Sequence, residues 1–105
     1  MRGVYVQNLV AGFINKYSLQ TSAEIRYIDL ISEIGELGKE IIKSTNYGKN
    51  DFNKTPALTN EIGDCLFSLL ALFHELNINA DEALQKSISK YELRFTQKGD
   101  ISSGI

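Results

Sequence analysis

Apolar residues recur along the chain in four runs with helical spacing. Val6, Leu9, Val10, Phe13, Ile14 and Tyr17 are separated by steps of three and one, which gathers them on one helix face and fits no strand. Ser18 to Thr21 interrupts that pattern, and Thr21 followed by Glu24 predicts a capping box for a second helix. Tyr27, Leu30, Ile31, Ile34, Leu37, Ile41 and Ile42 continue it to about Ser44. Asn46 to Lys54 is rich in Asn and Gly, has no period, and reads as a loop. Thr55 and Pro56 then restart the chain as an N-cap and a first helical residue. Leu58, Ile62, Cys65, Leu66, Leu69, Leu70, Phe73 and Leu76 give a third helix a broad apolar stripe. Asn77 to Asn79 is a short connection. Asn79 with Glu82 opens a fourth helix carrying Ala83, Leu84, Ile88, Tyr91 and Phe95, which ends near Gly99.

This pattern predicts an all-α fold, a four-helix bundle in one domain spanning residues 1–105, with a flexible tail over about 99–105. The stripes carry more apolar surface than one layer of helices can hide, so a homo-oligomer is expected. With 105 residues there is enough chain for one modest core and not for two. A net charge of −2 argues against a protein that coats a nucleic-acid polymer, because phosphate contacts need clustered cations. No run approaches the roughly 20 apolar residues of a membrane span, and the first residues lack the apolar core of a signal peptide. The single cysteine, Cys65, has no internal partner, which suits a reducing, cytoplasmic setting.

The candidate chemistry lies in the second and third helices. Glu33 and Glu36 stand three apart and project from neighbouring points of one face. With about 100° per residue, that face lies roughly a quarter-turn from the apolar stripe, at the border of the buried side. Glu61 and Asp64 repeat the arrangement beside Leu58, Ile62, Cys65 and Leu69. Packing the two stripes together would bring four carboxylates towards one place, at a cost in repulsion and desolvation that a hard divalent cation removes. No His or Cys stands at a matching position among these acids, which disfavours zinc. Spacing alone leaves a second reading open, since acid pairs on helices are common as solvated surface.

The segments LISEIGELGKE (30–40), EIGDCLFSLLAL (61–72) and ALQKSISKYELRF (83–95) together resemble the MazG-like nucleotide pyrophosphohydrolases. The signature of that family is E-x-x-E, an intervening stretch, then E-x-x-D. Acids, helical context and the K-Y-x-x-R-F ending match in order over most of the chain. The resemblance implies an all-α fold whose subunits associate as a dimer or a tetramer, and magnesium (with manganese as a substitute) held by Glu33, Glu36, Glu61 and Asp64. It implies cleavage of a nucleoside triphosphate between its α- and β-phosphates, giving a monophosphate and pyrophosphate. Glu33 or Glu36 would position or deprotonate the attacking water, with Glu40 supporting the metal ligands from behind. Lys90 and Arg94 match basic positions that resemble the family's phosphate contacts, and Lys86 extends the same stripe, although such a stripe also serves as a solvated basic face. Tyr91 either supports substrate or packs in the core. Ser32 is a departure, standing where many relatives have a second acid before the glycine.

Other residues carry less. Phe13 and Tyr17 are candidates for stacking on a base, although a helix-spaced aromatic pair also serves as core. Cys65 reads as an inert small core residue, and the lone His74 receives no chemistry. Lys49 and Lys54 sit in a loop that either closes over a nucleotide or only connects. Two further functions fit the same pattern. One is phosphoribosyl-ATP pyrophosphohydrolase, similar in size and acid motif. The other is a helical dimerisation or regulatory module without turnover, a reading that the presence of all four acids weakens.

Overall fold

A computed structural model describes residues 5–99, which form four helices: α1 (Tyr5–Lys16), α2 (Ala23–Ser44), α3 (Pro56–Glu75) and α4 (Ala80–Lys98). The expected flexibility after Gly99 falls on residues 100–105 and lies outside the described part. The starts of α2, α3 and α4 have local causes. Thr55 and Asn79 cap α3 and α4, their side-chain oxygens accepting from the backbone N–H of Leu58 and Glu82, with Pro56 opening α3. The expected cap of α2 is corrected by one residue: Ser22, not Thr21, accepts from Ile25 N–H at 3.2 Å. Ser22 holds the extended backbone that a cap needs (φ −87°, ψ 160°). With the start shifted, Glu24 falls in the first turn, where the helix dipole favours it, rather than closing a capping box with Thr21. Gly99 ends α4 at φ 81°, a left-handed conformation that costs glycine nothing.

α2 and α3 form an antiparallel hairpin. Three cross-links establish the direction, since partners on α3 recede as α2 advances. Near the start of α2, Arg26 pairs with Glu75 (Nη2 to Oε1, 3.2 Å). In the middle, Glu33 meets Glu61 and Asp64. Near its end, Glu40 Oε2 accepts from the Thr55 hydroxyl at 3.3 Å. Arg26 is buried, and its Nη2 also donates to the Leu19 carbonyl at 2.6 Å, so it ties the α1–α2 turn to α3. The far end is closed by Asn46, Tyr47 and Gly48, three successive left-handed residues (φ 48°, 58° and 83°). Their turn is held by the Thr45 hydroxyl, which accepts from Gly48 N–H and donates to the Ile42 carbonyl.

The buried core sits where α1 crosses α3. Val10 and Ile14, one turn apart on α1, pack with Leu70 and Ala71, and Phe67, Phe73 and Ala80 border them. Gln7 pins the next turn with both ends of its amide: Nε2 donates to Ile78 C=O, and Oε1 accepts from Ala80 N–H, each at 2.8 Å. Beyond that clamp α4 makes little contact with the rest of the chain. Much of the apolar pattern therefore stays uncovered. Ile31, Ile34, Ile62 and Leu66 are each about half exposed. No helix among the described residues is long and apolar enough to cross a membrane.

Candidate functional site

Antiparallel packing of α2 on α3 decides which acids meet. Oxygens of Glu33, Glu61 and Asp64 all lie within 4.8 Å of one another. Glu33 and Glu61 are half-buried, while Asp64 is exposed. Burial first, and then the charges of Asp64, Glu61, Glu36 and Asp29, push the Glu33 carboxyl above its usual range. The physical meaning is direct. Three carboxylates this close repel, and partial removal from water deprives them of the screening that would make the repulsion cheap.

The donor set fits a hard divalent cation. All three ligand atoms are carboxylate oxygens from two rigid helices, and no His nitrogen or Cys sulfur belongs to the group. A cavity of about 430 Å³ opens beside it, lined by Asp29, Glu33, Asp64, Phe67 and Ser68. That volume lies within the range of small-molecule sites.

Glu36 lies outside this group of three. Its carboxylate is exposed and stands 3.8 Å from Lys39 Nζ, one turn along α2, near enough to add to the field at Glu33. Glu40 is elsewhere again. It serves the N-cap of α3 through Thr55, whose hydroxyl donates to Glu40 while accepting from Leu58 N–H. Lys90, Tyr91 and Arg94 lie together on α4, with Lys90 Nζ 5.0 Å and Arg94 Cζ 5.8 Å from the centre of the Tyr91 ring. None of the three lines the acid cavity, and neither Lys49 nor Lys54 does so. Cys65 is half-buried beside the acids. Burial and the charges of Glu33, Glu61 and Asp64 push its thiol up, so it stays protonated and a poor nucleophile.

Reading the sequence missed Asp29, Phe67 and Ser68 as cavity residues. A signal for all three was present. Asp29 precedes Glu33 by four positions, and Phe67 and Ser68 follow Asp64 by three and four, the spacings that share a helix face.

The model of the MazG nucleotide pyrophosphohydrolase domain matches residues 20–97, from before the start of α2 to the last turn of α4. No curated protein and no solved structure gives a match to the chain.

Proposed function

The chain belongs to the MazG nucleotide pyrophosphohydrolase family, and from that premise we propose a magnesium-dependent enzyme that cleaves nucleoside triphosphates, with common or modified bases. Its products are a nucleoside monophosphate and pyrophosphate, so the enzyme would clear unwanted nucleotides from the pool. One observation carries this reading: Glu33, Glu61 and Asp64 converge within 4.8 Å at a cavity of about 430 Å³.

Glu33, Glu61 and Asp64 would hold the metal, with manganese as a substitute. When bound, a hard divalent cation offsets the negative charge of a triphosphate and polarises its phosphoryl oxygens. The helices contribute position, since α2 sets Glu33 against the flank of α3 that carries Glu61 and Asp64. Glu36 is assigned the proton of the attacking water, or a fourth ligand position. Its contact with Lys39 is exposed and i,i+3, a kind worth little, so the carboxylate can turn towards the cavity. Lys90 and Arg94 are assigned to phosphate oxygens, with Tyr91 between them. Glu40 is assigned to hold the α2–α3 pair in register through Thr55 rather than to act on substrate.

Homo-oligomerisation is part of the proposal. The radius of gyration is 16.9 Å, against about 13 Å for a compact chain of this length. Ile31, Ile34, Ile62 and Leu66 would be covered by a second copy, and so would the groove between α3 and α4.

The test is incubation with magnesium and a panel of common and modified nucleoside triphosphates, following both products. Release of monophosphate and pyrophosphate, abolished by a chelator, is the expected result. No release from any member would overturn the reading and make phosphoribosyl-ATP the next substrate to try.

A further inference from the structure

α1 carries two aromatic rings that the core does not use. Its buried residues are Val10 and Ile14, whereas Phe13 and Tyr17 keep 47% and 54% of their surface open. The two rings are one turn apart, with centroids 5.0 Å from each other and planes tilted by 55°. Phe13 also reaches across to α3, where it meets Phe67 edge-on at 5.7 Å and 89°. Phe67 follows Asp64 by three positions, about 4.5 Å along the helix axis, and it lines the acid cavity together with Glu33 and Asp64. An aromatic wall therefore begins inside the carboxylate cavity and runs outward on to α1.

We propose that Phe67, Phe13 and Tyr17 form the platform on which the substrate's nucleobase stacks. The inference rests on the pyrophosphohydrolase reading and adds to it the groups that take the uncharged end of the molecule. A triphosphate anchored at the carboxylates through a divalent cation leaves its nucleoside to lie along an adjoining wall, and this wall is aromatic. Stacking on aromatic side chains gains about 5- to 150-fold in affinity per base and tolerates different bases, because every base has a π-face. Lys16 Nζ stands 5.3 Å over the Tyr17 ring. A cation–π contact at so exposed a place is weak and does not hold the ring against a base.

The full chain is titrated by calorimetry, with magnesium, against non-cleavable α,β-imido analogues of dATP, dCTP, dGTP and dUTP. Inorganic tripolyphosphate is the base-free probe. Wild type is expected to bind the analogues about tenfold or more tighter than tripolyphosphate. Phe13→Leu and Tyr17→Leu, both at exposed rings, should lose most of that margin while leaving tripolyphosphate binding unchanged. Tyr17→Phe should restore it. Equal wild-type affinity for analogues and tripolyphosphate, or no binding of either, overturns the platform. So does an equal loss for both probes in Phe13→Leu. A changed oligomeric state in Phe13→Leu by light scattering, with nucleotide affinity intact, overturns it too and assigns the rings to an interface. Because binding is read without turnover, absence of pyrophosphate release would sink the reaction while a Phe13-dependent margin left the platform standing.

Discussion

Glu33 stands between its own neighbours on α2 and the two acids of α3, half-buried among them. Its folded pKa is raised, chiefly by burial and then by Asp64, Glu61, Glu36 and Asp29. In the metal-free protein the folded state therefore holds this proton to higher pH than the unfolded chain does. Ionising Glu33 costs stability, so its contribution falls as pH rises from the ordinary carboxylate range through the raised value. Thermal melts in chelator across that range should show a downward slope with pH that is smaller in Glu33→Gln. Magnesium should flatten the slope, because a bound cation favours the ionised carboxylates, and should raise the melting temperature of wild type. At the same scale, Asp64→Asn and Glu36→Gln should fold normally and lose turnover by about 100-fold or more if the proposed metal ligand and general base are these residues. Circular dichroism with product assays checks both halves. Full activity in both variants would place the chemistry elsewhere.

Among the elements, α2 and α3 pack against each other most extensively, and a buried ion pair holds the open end of their hairpin. Arg26 and Glu75 have side chains only 10% and 13% exposed. Arg26→Ala would leave Glu75 without its cation and the Leu19 carbonyl without its donor. A loss of about 3 kcal/mol is expected in urea denaturation. Arg26→Met combined with Glu75→Leu should recover most of that loss, because no charge is then left unpaired. At the other end, Thr55→Ala removes a cap and the partner of Glu40 together, and about 1 kcal/mol should go with it. α4 depends on a lighter attachment. Gln7 bonds both sides of the turn that launches it, so Gln7→Ala should speed hydrogen exchange in the first turns of α4 more than in α2 or α3.

At the scale of the whole molecule, many large apolar side chains among the described residues are left open by a single copy. Half-exposed isoleucines and leucines run along α2 and α3, and α4 has a largely unused apolar side. Large exposed apolar patches mark interaction surfaces, and a second copy supplies a matching patch without further design. Light scattering should give a mass of at least twice the 11.8 kDa chain. Ile34→Glu or Leu66→Glu, on stripes that one copy does not cover, should shift the protein towards monomer and lower its melting temperature. A clean monomer for wild type would remove oligomerisation from the proposed function.

The number of helices, their approximate ends and their caps at Thr55 and Asn79 were legible in the sequence, because periodicity and capping chemistry are local. Ser22 was not separated from Thr21, since both offer a hydroxyl and only the backbone at the turn chooses between them. The acid motif and the family were readable too, as fixed spacings of carboxylates within two amphipathic runs. Which acids converge was a different matter. The register of α2 on α3, held by Arg26–Glu75 at one end and Glu40–Thr55 at the other, gathers Glu33 with Glu61 and Asp64 and leaves Glu36 facing Lys39. Distance between side chains on different helices is a property of packing, and no local pattern contains it. For the same reason Phe67, an ordinary apolar residue in the sequence, became part of the cavity wall and joined it to the rings of α1.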